Sequence, residues 1–163
     1  MTWGAKVPIG PPMVRDGQYD SIPSGALDLG VALLVKTLPL ARIATSYSCD
    51  GHGEREAFVW LAFDWDDLWG EAVFKAIVGD TPNSIWVWSD RKLSIAPRGG
   101  YGDTELFGML SDIQRFARSL LHQPTIDKIG RARTRTLGEF GKSPPDMKRF
   151  SEIAHFQLSA EFA

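Results

Sequence analysis

Cysteine is nearly missing from this chain of 163 residues: Cys49 stands alone. A single thiol excludes an intramolecular disulfide and fits a reducing compartment. A dominant charge sign is missing as well. Lys and Arg number 18 against 20 Asp and Glu, for a net charge of -2. Whole-chain charge therefore offers no argument for nucleic acid, and any such argument must come from local clusters. Long hydrophobic runs are lacking too. The longest, Ala26 to Leu38, is too short to cross a bilayer and carries Asp28 and Lys36. No basic start followed by an apolar stretch opens the chain, so no export signal is read there. A cytoplasmic protein that makes no membrane contact is expected.

What is present is ordinary globular material, 44% hydrophobic and 11% aromatic, enough for one domain that needs no staples. Residues 1 to 25 carry Gly10-Pro11-Pro12, Asp16-Gly17 and Pro23-Ser24-Gly25, and read as an N-terminal arm. Ser24 or Gly25 then caps a helix from Ala26 to Leu38, which Pro39 stops. Arg42 to Ser48 alternates like a strand, with Ile43, Thr45 and Tyr47 on one face. Ala57 to Phe63 is apolar throughout, as a strand covered on both faces would be. Asp64, Asp66 and Asp67 open a helix that ends near Val78, and carboxylates there suit the helix dipole better than they argue for magnesium.

Ser84 to Ser89 and Lys92 to Ala96 form a second hairpin, and a long helix runs from Asp103 or Thr104 to about His122. Trp86 and Trp88 share a strand face and read as core in preference to a stacking platform for bases. The expected fold class is α+β: a single domain, mainly an antiparallel sheet of two hairpins packed against about three helices, with a C-terminal helical appendage. The core domain spans 26 to 124. Residues 125 to 163 supply a basic segment with Arg131, Arg133 and Arg135 and a last helix from Asp146, available to the domain or to a protein partner.

The stretch that can carry chemistry is Thr45-Ser46-Tyr47-Ser48-Cys49-Asp50-Gly51-His52-Gly53, a polar loop between two apolar elements. Asp50-Gly51 is a turn signal. Amides around Gly51 and Gly53 can form a concave nest for an anion. Thr45, Ser46 and Ser48 add hydroxyls, and His52 adds a ring that titrates near neutrality. Asp50 repels a phosphate unless it binds a cation or a hydroxyl. Cys49 and His52 are two of the four ligands that a structural zinc site needs, with His122 and His155 far off in sequence, so no metal is expected. Neighbours on a tight loop are also not expected to aim their reactive atoms at each other.

From Leu33 to Gly53, a helix followed by T-S-Y-S-C-D-G-H resembles the helix and Thr-Ser-Ser-Cys-x-Gly-Arg loop of the tRNA wybutosine-synthesising protein 3 family. Thr45, Ser46, Ser48, Cys49 and Gly51 are the matching positions, His52 stands where that family has arginine, and Tyr47 is inserted. The resemblance implies an α/β fold that acts on a modified tRNA base with S-adenosylmethionine. The loop is also similar to SCxGH loops of uncharacterised bacterial and phage proteins.

Two functions follow as expectations. One is a small binding or accessory protein of bacteria or their mobile elements. Its 45–53 loop takes a phosphate-bearing ligand or RNA, and Arg131, Arg133 and Arg135 contact nucleic acid or a partner. The other is an RNA- or nucleotide-modifying enzyme with His52 as the acid–base residue, which requires Thr45, Ser46, Ser48, Cys49 and His52 to line one pocket.

Overall fold

A computed structural model describes residues 6–8, 26–143 and 146–163, with side chains described from residue 30 onward. Most of the N-terminal arm, with its Ser24 or Gly25 cap, lies outside the described residues. Two short strands, β1 (Lys6–Pro8) and β2 (Ala26–Asp28), pair antiparallel. The helix expected from Ala26 is therefore shorter. A 3-10 turn at Leu29–Val31 leads into α1 (Ala32–Thr37). The backbone of Ala26–Asp28 meets its hydrogen-bonding needs on β1, and that long-range pairing overrides the local apolar pattern. The α-helix does end ahead of Pro39, as expected, but the helical path goes on. Pro39 opens a second 3-10 turn, Leu38–Ala41, where its missing N–H costs nothing, and Arg42 at φ 65° ends that turn.

Four strands, β3 (Thr45–Cys49), β4 (Ala57–Leu61), β5 (Ser84–Ser89) and β6 (Lys92–Pro97), make one antiparallel sheet in the order β3-β4-β6-β5. It is the expected sheet of two hairpins. Between β5 and β6, Asp90 and Arg91 both take positive φ, 53° and 60°, as a two-residue hairpin loop of the right twist requires. Helices α2 (Asp64–Ile77) and α3 (Asp103–Ser119) cover one face of the sheet, and α1 packs on α3. That face carries Val59, Leu61, Leu93, Ile95 and Trp88, all buried. Trp86 stacks on Phe74 at 4.5 Å between centroids, so both strand tryptophans are core.

The chain beyond Pro124 packs on the domain. Its α4 (Gln123–Gly138) has little helical signature in the sequence, because its fully buried apolar residues are only Ile129 and Ala132. Pro124 in its first turn is a helix-start signal that the sequence does carry. Last comes α5 (Met147–Phe162), which lays Phe150, Ala154 and Leu158 against α2 and α4. Phe150 meets Trp65 edge-on at 5.1 Å and joins the same core as the sheet.

Two polar anchors set the position of β3. Trp69 on α2 donates its indole N–H to the Ala41 carbonyl at 2.7 Å. Asp66, in the first turn of α2, accepts the amides of Phe63 and Ala44, each at 3.0 Å. One carboxylate thus caps its own helix and pins the entry to β3. Burial nonetheless holds its pKa above the usual carboxylate value, with the two amides and Arg133 opposing.

Candidate functional site

Strand β3 does not alternate simply. Thr45 pairs with Leu61 but Tyr47 pairs with Trp60, so Ser46 is the extra residue of a β-bulge. The bulge overturns the expectation that Thr45 and Tyr47 share a face. Thr45 is buried on the helix-covered side, and Tyr47 is 48% exposed on the other. The Ser46 hydroxyl donates to the Trp60 carbonyl at 3.4 Å, and Ser48 pairs with Val59. Thr45, Ser46 and Ser48 are thus spread along the strand.

The structure does bring Cys49, Asp50 and His52 together. Gly51, His52 and Gly53 form a 3-10 turn with φ of 77°, 56° and 77°. Gly51 has no alternative, since a Cβ there would lie 2.8 Å from the Glu56 carbonyl oxygen as well as being at positive φ. The reversal stacks positions 49, 50 and 52. The thiol sulfur, a carboxylate oxygen and an imidazole nitrogen lie within 4.8 Å of one another. Contrary to the expectation for a tight loop, their reactive atoms converge. Cys49 and Asp50 are buried and His52 is exposed.

The amides of the turn are directed inward. Gly51 N donates to Cys49 Sγ at 3.4 Å, and His52 N to Asp50 Oδ1 at 2.9 Å. Gly30 N reaches across to Asp50 Oδ2 at 3.3 Å, and the amides of Glu54 and Arg55 both reach the Gly51 carbonyl. The loop's own carboxylate stands where an outside anion would accept these donors.

Among the described residues no helix lies on the far face of the sheet, and the exposure of Trp60 there corrects the expectation that Ala57 to Phe63 is covered on both sides. On β4, Ala57, Val59 and Leu61 are buried, while Trp60 is 38% exposed. Phe58 and Trp60 share the open face with Tyr47. Tyr47 and Phe58 lie 6.0 Å apart, and Phe58 and Trp60 meet edge-on at 6.5 Å. Lys92 sets its ammonium 5.3 Å from the Phe58 ring and 5.6 Å from the Trp60 ring, and pairs with Glu56 at 3.6 Å. Ile85 and Val87 of β5 extend this exposed face. The missed signal was the alternation of Phe58 and Trp60 inside an otherwise apolar run.

The three arginines of α4 part company. Arg131 and Arg135, one turn apart, both bind Glu161 of α5, at 2.9 and 2.8 Å. The Arg131 hydrogen bond first, and then the two positive charges, hold the Glu161 carboxyl below its usual range. With Arg42 they border a hollow also lined by Gln123, Asp127 and Thr134. Arg133 turns the other way, its guanidinium 4.9 Å over the Trp69 ring and 5.8 Å over Phe150. A second hollow is lined by Phe107, Gln114, Arg115 and Arg118 on α3. Neither hollow includes a residue of the 45–53 loop.

No helix of the described residues is long and apolar enough to cross a membrane. No protein family, curated protein or solved structure matches the chain, so the likeness of residues 33 to 53 to the wybutosine family rests on that stretch alone.

Proposed function

We propose that this is a small binding protein that takes a single-stranded nucleic acid across the open face of its sheet. One observation carries the reading: antiparallel pairing gathers Tyr47, Phe58 and Trp60 on a face that no helix of the described residues covers, with Lys92 among them. Aromatic rings stack with any base, and a cation beside them meets the phosphate that follows. Exposed Arg55 and Arg91 stand at either end of this row, one before β4 and one before β6.

The competing explanation is that Lys92 simply shields the rings from water. Fluorescence anisotropy with short labelled RNA and DNA single strands, at about 50 mM salt where phosphate contacts are strongest, separates the two. Binding that weakens as salt rises, and is lost in a Tyr47→Ala/Trp60→Ala double variant that stays folded at the assay temperature, is the expected result. No anisotropy change with either strand, or equal binding by the double variant, sinks the proposal.

A second reading, an RNA- or nucleotide-modifying enzyme, keeps only part of the pocket it needs: Cys49 and His52 converge with Asp50, while Thr45, Ser46 and Ser48 are spread along β3. Its first test is a thermal-shift titration with S-adenosylmethionine, which must raise the melting temperature if it binds the folded chain.

A further inference from the structure

We infer that the turn closing β3 is a site for a divalent transition metal of the zinc and cobalt kind, ligated by Cys49, Asp50 and His52. This goes beyond the nucleic-acid reading and does not depend on it. Sulfur, oxygen and nitrogen donors come from three side chains whose ligating atoms all lie within 4.8 Å of one another. Bonds of about 2.0–2.3 Å to a tetrahedral centre place neighbouring donors roughly 3.5 Å apart. The remaining gap is small, and closing it falls to His52, the exposed member of the three.

The donor set selects the class of metal. A thiolate beside an imidazole suits zinc, cobalt or ferrous iron, while magnesium and calcium prefer oxygen alone. Charge balances as well. Thiolate and carboxylate bring two negative charges, a neutral imidazole none, and a divalent ion cancels the pair in a place where Cys49 and Asp50 are buried. Binding displaces the thiol proton to water, leaving sulfur as a thiolate ligand.

The surroundings act as an outer shell. The Gly51 amide points at the sulfur, as suits a thiolate, and the amides of His52 and Gly30 each hold one Asp50 oxygen. Three protein ligands leave a fourth tetrahedral position for water or an oxygen ligand. The repulsion between Asp50 and a phosphate would then be reversed by the ion between them.

Cobalt(II) is the probe. Titrating it into the full chain, stripped of metal with a chelator, should give one equivalent of binding. Expected with it are a thiolate-to-cobalt charge-transfer band in the near ultraviolet and tetrahedral bands in the visible, all abolished by added zinc. Cys49→Ser should lose the near-ultraviolet band. His52→Ala, at an exposed position, should weaken binding at least tenfold. His122→Ala, on the other side of the sequence, should bind as the parent does. Absence of the thiolate band in the parent overturns the assignment. So does undiminished binding by His52→Ala, which would mark cobalt as adventitious. If Cys49→Ser fails to fold, the parent spectrum and the His52→Ala titration still decide.

Discussion

His52 donates its backbone amide to Asp50 Oδ1 at 2.9 Å, and this bond draws the two residues to the same side of the turn. The amides of Gly51, His52, Glu54 and Arg55 are all spent within the turn, and the side chains of Cys49, Asp50 and His52 are what it brings together. The φ angles at Gly51, His52 and Gly53 are what make the bond reachable.

Gly51→Ala should unfold more easily than the parent by about 1–3 kcal/mol, the usual cost of a strained backbone position. The new Cβ meets the Glu56 carbonyl at 2.8 Å and must also adopt φ 77°. Urea denaturation measures this. A midpoint unchanged from the parent's would show that the turn is not under this constraint.

Asp66→Asn should cost about 1–3 kcal/mol, the penalty for a buried donor left without its acceptor. Each carboxylate oxygen takes one amide, from Ala44 and from Phe63. An asparagine keeps one oxygen and turns an NH2 toward the other amide. Hydrogen exchange at Ala44 and Phe63 should report which bond was lost.

Arg133→Ala and Arg131→Ala should separate sharply, although the residues are two apart on one helix. Arg133 lies over Trp69 and Phe150 in partly dry surroundings, where such contacts are worth about 2 kcal/mol. Arg131 is more than half exposed, so its loss should cost under about 1 kcal/mol. Equal losses in thermal melts would contradict this division of labour.

Removing Trp60 alone, as Trp60→Ala, should weaken single-strand binding by the ~1–3 kcal/mol of one stacked base, roughly 5- to 150-fold. Because Trp60 is only 38% exposed, most of its surface is covered by its neighbours, and the variant should also melt below the parent. Anisotropy and melting measured on the same sample check both halves.

Acid should destabilise the fold through His155. Burial first, then the charge of Lys75, holds its pKa below the ordinary 6.5. The folded state therefore favours the neutral ring. That stability is present above pH 6.5 and is lost as pH falls through the folded value. His155→Gln should flatten the dependence of melting temperature on pH between about 7.5 and 5, a window set by the ordinary histidine pKa.

Local patterns carried much of the architecture. Short strand-like runs at Ser84–Ser89 and Lys92–Ala96, and the carboxylates at Asp64, Asp66 and Asp67, marked the second hairpin and the start of α2, the last strand running one residue further to Pro97. Gly51 and Gly53 located the tight turn. Each rests on interactions within a few residues, which a sequence displays directly. The functional surfaces rest on something else. The bulge at Ser46 exists only against the paired β4, and it alone decides that Tyr47 joins Phe58 and Trp60 outside while Thr45 goes in. Which face of the sheet stays bare depends on where α2 and α3 settle. Which arginine of α4 turns inward depends on Trp69 and Phe150, residues on two other helices. Periodicity marks the faces of an element, but only packing against distant partners chooses which face is buried and which is left to meet a ligand.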